Sequence, residues 1–242
     1  MRNTLVLAAL IACPLTLSTA VGCNQNKDGF GNNTLRQQEL TADDDFSRGK
    51  ITITADTHAA AGQFAEMQGR TSEALSSYRK ALNLNPNHER ALYHLGVLLT
   101  RSGNYDEARH VWNRYVSATN GSAAAYANLG YCLELSGDRL GAETAYAKGI
   151  DADAYHQASR VNYGLLLVRT GRVGEGTIHL SKVLPAHAVL YNIGAIYERQ
   201  GKFREAADCY TEALDLKPDF VEAQTRLSAL GVADVSTDEL TE

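Results

Sequence analysis

YNIGAIYERQGKFREAADCYTEALDLKPDF, Tyr191–Phe220, carries the pattern that decides the fold. Apolar and small residues return every three or four positions on both sides of the turn QGKFREA, which is the stripe that an amphipathic helix buries. Gly201 stands where the first of the two helices must stop, a place that calls for a left-handed residue. The stretch therefore predicts two helices packed against each other, joined by a tight turn.

Moving outward, the same arrangement repeats. Glycines recur at Gly69, Gly103, Gly137, Gly171 and Gly201, at intervals of 34, 34, 34 and 30 residues. A second series, Gly62, Gly96, Gly130, Gly164 and Gly194, runs seven residues ahead of the first. Two series in step define a repeat architecture, with units at 55–88, 89–122, 123–156, 157–186 and 187–220. A glycine inside a helix costs about 1 kcal/mol relative to alanine, so the earlier series implies a helix too close for any side chain. Ala74, Ala108, Ala142 and Ala206, with Gly176 in the fourth unit, hold one small position in the second helix. Tyr78, Trp112, Tyr146 and Tyr210 follow four residues later, and their rings are expected to fill the space between neighbouring units. The fourth unit lacks four residues between Leu180 and Tyr191, and Pro185 resists helix continuation. Its second helix is expected to be about one turn short.

With these residues in hand, Tyr191–Phe220 resembles a tetratricopeptide repeat, and ALNLNPNHERALYHLG (Ala81–Gly96) is similar to a junction between two such repeats. The resemblance implies an all-α fold: a right-handed superhelical solenoid of five helix-turn-helix units. Unit one departs most, carrying His58, Ala61 and Ala65 where larger apolar residues are usual. VEAQTRLSALG (Val221–Gly231) reads as the capping helix that a terminal repeat needs to cover its apolar face, with the rest of 221–242 as a tail.

Before the repeats, Arg2, the apolar run Leu5–Leu17 and the small residues Ser18–Gly22 form an export signal over 1–22. Ala20-Val21-Gly22-Cys23 resembles a bacterial lipobox, which implies acylation of Cys23 and a lipid anchor to the membrane. Ala20 stands where leucine is commonest, so cleavage after Ala20 to a soluble exported form, and retention as an uncleaved anchor, remain alternatives. Residues 23–54 are rich in Gly, Asn and Asp and read as a tether. Their last residues, ITIT, have the composition of a short strand.

The repeats occupy nearly all of the folded region, and the chain holds no HExxH, GxxxxGK[ST], GxSxG or dinucleotide motif. His58, His88, His94, His110, His156, His179 and His187 lack ligand spacing, and the four cysteines form no CxxC pair. No catalytic residue, metal or cofactor is expected. The net charge of −5 with interspersed signs lacks the basic field that nucleic acid requires, so the expected partner is a protein or peptide. By resemblance, the first helices line the concave side. His94, Asn128, Asn162 and Asn192 at the sixth position of their units, with Tyr93 and Tyr191 at the fifth, are then the candidate peptide-binding residues. An amide suits this task because it both donates and accepts. Ala124, Ala158 and Ala188 at the second position argue against a carboxylate clamp. The whole arrangement resembles tetratricopeptide lipoproteins of type IV and Tad pilus assembly, which implies a scaffold or assembly factor of the cell envelope. A periplasmic chaperone-like or enzyme-recruiting adaptor is the alternative.

Overall fold

Eleven helices follow one another in the computed structural model, which describes residues 53–238. They pair as α1 (Ala55–Met67) with α2 (Thr71–Leu84), α3 (Glu89–Arg101) with α4 (Tyr105–Ala118), and α5 (Ala123–Leu135) with α6 (Arg139–Ala152). Then come α7 (Gln157–Arg169) with α8 (Val173–Ser181), and α9 (Ala186–Arg199) with α10 (Phe203–Leu216). The last helix, α11 (Val221–Asp238), packs on α10 and runs beyond the expected Gly231. Among the described residues there is no strand. Ile53 and Thr54 are not helical, and Thr54 instead caps α1: its Oγ1 accepts from the Thr57 amide (3.2 Å), and the Thr54 amide donates to Thr57 Oγ1 (3.3 Å). The signal, the lipobox with Cys23 and the first part of the ITIT stretch lie outside the described residues.

Local chemistry sets the helix ends. Gly69, Gly103, Gly137, Gly171 and Gly201 all have positive φ, between 72° and 88°, as the turn requires. The first helices of units two, three and four start from side-chain caps: His88 accepts from the Ala91 amide, Ser122 from Ala125 and His156 from Ser159.

The helical glycines explain themselves in Gly130. A Cβ there would sit 2.5 Å from Tyr146 Cε1, an impossible contact with a fully buried ring. The rings thus correct the expectation from sequence. Tyr78, Trp112, Tyr146 and Tyr210 lie first of all over the helical glycine of their own unit. Some then meet the next unit with their other side: Tyr78 stacks on His94 (5.4 Å between centroids) and Tyr146 lies tilted against Tyr163 (6.3 Å).

Unit four is built differently. Helix α8 has nine residues where α2, α4, α6 and α10 each have 14, a loss of somewhat more than one turn. The chain leaves it through Val183 and Leu184, whose amides both bond Leu180 O, and Pro185 opens α9. Leu184 packs against the buried cluster of Val168, Leu180, Val189, Ile193 and Ile196, so the connecting residue supplies apolar cover where the missing turn would have stood.

Candidate functional site

Positions two, six, nine and thirteen of a first helix fall within about 60° of arc and form one face. On α5 these are Ala124, Asn128, Tyr131 and Leu135, and on α7 they are Ala158, Asn162, Leu165 and Arg169. First helices touch directly in three places, α1 on α3, α5 on α7 and α7 on α9, so α5, α7 and α9 carry these faces side by side.

The six candidate residues have different surroundings. Asn128 and Asn162 are half-buried, and among the described residues neither amide has a hydrogen-bond partner. No buried side-chain polar atom among the described residues goes unpartnered, so their amide atoms remain reachable from solvent. Asn192 donates to Ala188 O one turn back (2.7 Å), which leaves its carbonyl oxygen as the remaining group. His94 is engaged through both ring nitrogens, Nδ1 with Glu66 Oε2 (3.0 Å) and Nε2 with the Gln63 amide (2.9 Å). Tyr93 sits among the rings of His94, Trp112 and Tyr115. Tyr191 packs against Tyr210 and Phe220. The structure thus brings Asn128 and Asn162 onto neighbouring helices, with amides that have no partner among the described residues, and ties the other four into the protein.

Beside this face runs a second set of groups that reading by position overlooks. Tyr78, Tyr146 and Tyr210 donate their hydroxyls to Glu66, Glu134 and Glu198, each twelve residues back, at 2.9, 3.0 and 2.7 Å. The same carboxylates receive a cationic or imidazole group from the next unit: His94 on Glu66, Arg169 on Glu134 and Arg226 on Glu198. Burial, together with the adjacent carboxylate, holds these tyrosine hydroxyls protonated far above their usual range. In unit two the tryptophan takes a different partner, its Nε1 donating to Thr100 Oγ1 (3.0 Å). In unit four the pair becomes Val168 and Leu180, both buried. A signal for this existed in the sequence: the residue twelve before each ring changes with it, Glu for Tyr, Thr for Trp and Val for Leu.

Comparisons with known proteins agree with this geometry. Residues 65–130 and 187–220 each match the tetratricopeptide-repeat family, so these two stretches are tetratricopeptide repeats. Among solved structures, MamA is similar at 22% identity with a TM-score of 0.58, covering 70% of this chain and 95% of that one. YrrB, described as a tetratricopeptide protein with an unusual peptide-binding site, is similar at 20% identity with a TM-score of 0.53, covering 71% and 90%. At such identities the likeness establishes the fold. A curated relative, the general transcriptional corepressor trfA of Dictyostelium discoideum, is 25% identical over 159 residues, 66% of this chain and 9% of its own length. The chain spans between 9% and 14% of the length of the curated relatives it matches.

Proposed function

We propose that this protein is a non-enzymatic scaffold that holds extended segments of partner proteins against the inner faces of α5 and α7. The observation that carries the reading is the pair Asn128 and Asn162, equivalent positions 34 residues apart, both without an intrachain partner among the described residues. Helices in contact lie about 8–10 Å apart, and an extended chain rises about 3.3 Å per residue, so the two amides match backbone groups roughly three residues apart. Ala124 and Ala158, one turn earlier on each helix, leave room for a backbone to approach. Bonds of this kind read main chain and tolerate varied side chains.

The binding surface sits, in this reading, on an exported chain anchored through Cys23 in the bacterial envelope. That part rests on Arg2, the apolar run Leu5–Leu17 and the lipobox alone. Labelled palmitate is expected to enter the full chain and not Cys23→Ser, and equal labelling would end the lipoprotein reading.

Binding at the groove is tested with fluorescent unstructured peptides, titrated against the protein and against Asn128→Ala with Asn162→Ala. Two neutral hydrogen bonds at about 0.5–1.5 kcal/mol each predict roughly a tenfold loss of affinity, with little dependence on peptide sequence. The melting curve should stay within about two degrees. Unchanged binding together with earlier melting would mean that the asparagines brace the helices instead.

A further inference from the structure

We infer that the segments held in this groove are acidic, which rests on the peptide-binding reading above and adds to it the chemistry of the ligand. Positions two, six, nine and thirteen of α3, α5, α7 and α9 carry Arg90, Arg101, Arg169 and Arg199 and not one carboxylate. The whole chain has a net charge of −5, and its second helices hold more carboxylates than cations. The inner face thus runs against the charge of the molecule that bears it. Arg90, Arg101 and Arg199 are exposed and have no partner among the described residues. Carboxylates elsewhere on these four helices do not neutralise them. Glu134 is taken by Tyr146 and Arg169, Glu198 by Tyr210 and Arg226, and Glu89 stands off the face, within electrostatic reach of Tyr115 on α4.

The order of these groups along the stack sets how a segment lies. Arg90 and Arg101 come from α3, the amides of Asn128 and Asn162 from α5 and α7, and Arg199 from α9, so cations stand on both sides of the amide pair. Three helix-to-helix steps of roughly 10 Å are spanned by about nine residues of extended chain. Arg169 follows Asn162, and Arg199 follows Asn192, by seven residues, or about 10 Å along the helix. That interval leaves room for a side chain between the backbone of the segment and the guanidinium. A guanidinium is a planar fork of donors with no acceptor, so this rim favours Asp and Glu and repels Lys and Arg. Tyr131, on the same face, adds a hydroxyl that has no partner among the described residues. Acidic runs are also kept extended by their own repulsion, which is the form the two amides require. On α11 the same face opens with Glu222, so the cationic run ends at α9. The amides hold main chain, and the arginines choose among segments.

Three fluorescent peptides long enough to cross all four helices test this against the full chain: one rich in Asp and Glu, one of Gly, Ser and Asn, and one rich in Lys. The acidic peptide should bind about tenfold more tightly than the neutral one and the basic peptide most weakly, and raising salt from about 50 to about 300 mM should erase most of that difference. Arg101→Gln with Arg199→Gln should lower affinity for the acidic peptide about tenfold and for the neutral one less than about twofold. Lys80→Gln with Lys182→Gln removes the same charge away from the face and should leave the preference intact. All four side chains are exposed, so melting should be unchanged in both variants. An acidic peptide bound no tighter than the neutral one, with both still weakened by Asn128→Ala and Asn162→Ala, would overturn the inference and leave the groove reading standing. A preference for acid that survives Arg101→Gln with Arg199→Gln would overturn it too, by placing the cations elsewhere. No binding of any peptide would remove both readings. A single-stranded oligonucleotide that binds more tightly than the acidic peptide would overturn the inference in favour of a nucleic acid.

Discussion

Units three and four occupy adjacent places in one stack and hold their helices together by different chemistry. In unit three, Tyr146 covers Gly130, donates to Glu134, and Glu134 binds Arg169 of the next unit. In unit four, Leu180 covers Gly164 and touches Val168, with no polar group in the contact. The smaller side chain lets the helices of unit four come closer. A Cβ on Gly176 would lie 2.6 Å from the Gly164 carbonyl oxygen, whereas unit three accommodates Ala142 at that position. What the fold requires at this place is a filled gap between two helices; a ring with a satisfied hydroxyl and a leucine at closer spacing both meet that need.

Truncating the two gap-fillers is the strongest way to break the comparison. Tyr146→Ala should cost about 4 kcal/mol in urea unfolding, from the cavity and the lost hydrogen bond, and Leu180→Ala about 3 kcal/mol. Equal costs near 1 kcal/mol would mean that neither residue holds its pair of helices. Gly176→Ala is the sharper test. It installs the residue that the other units carry, yet it should destabilise by about 1–3 kcal/mol, because the clash is with backbone. A neutral or stabilising outcome would show that unit four is no tighter than unit three. Tyr146→Phe keeps the ring and removes only the hydroxyl, and since Arg169 still partners Glu134, the loss should be about 1–1.5 kcal/mol.

The smallest effect is expected from pH. Unit three starts from Ser122, whose hydroxyl accepts from the Ala125 amide at any pH, while unit four starts from His156, whose Nδ1 accepts only when unprotonated. Burial holds His156 below the usual imidazole value, and burial with the nearby Arg160 does the same for His179, which lies 4.6 Å from the Tyr163 ring. With folded values depressed, the unfolded chain binds more protons just below the ordinary value near 6.5. Stability from these two groups is full above that value and is lost as the pH falls through it. Protection factors of the amides in α7 and α8 should therefore fall from pH 7.5 to pH 5.5 more than those in α5 and α6. Replacing His156 by Ser should remove part of that difference.

The repeat itself was legible from Gly62 and Gly69 onward, because period, turn glycines and helix stripes are local properties written within 34 residues. The shortening of α8 was legible too, from four missing residues and Pro185. Its consequence, a closer helix pair in which Gly176 replaces alanine, was not, because it depends on what faces Gly164 across the gap. Of the candidate site, the sequence supplied six residues at two positions and could not rank them. His94 is engaged by Gln63 and Glu66, some 30 residues away in the chain, and the equivalent Asn128 meets no such pair.

By itself, the sequence determined the number of units, their helix ends and which residues are small, since each follows from backbone conformation or from the spacing of neighbours along one helix. Only the tertiary structure decided that the rings sit over glycines of their own unit, that Glu66, Glu134 and Glu198 link Tyr78, Tyr146 and Tyr210 to the helix that follows their unit, and that the amides of Asn128 and Asn162 have no partner among the described residues. Those outcomes rest on distances between side chains 12 to 35 residues apart, set by how one helix pair stacks on the next, and no local pattern carries that information.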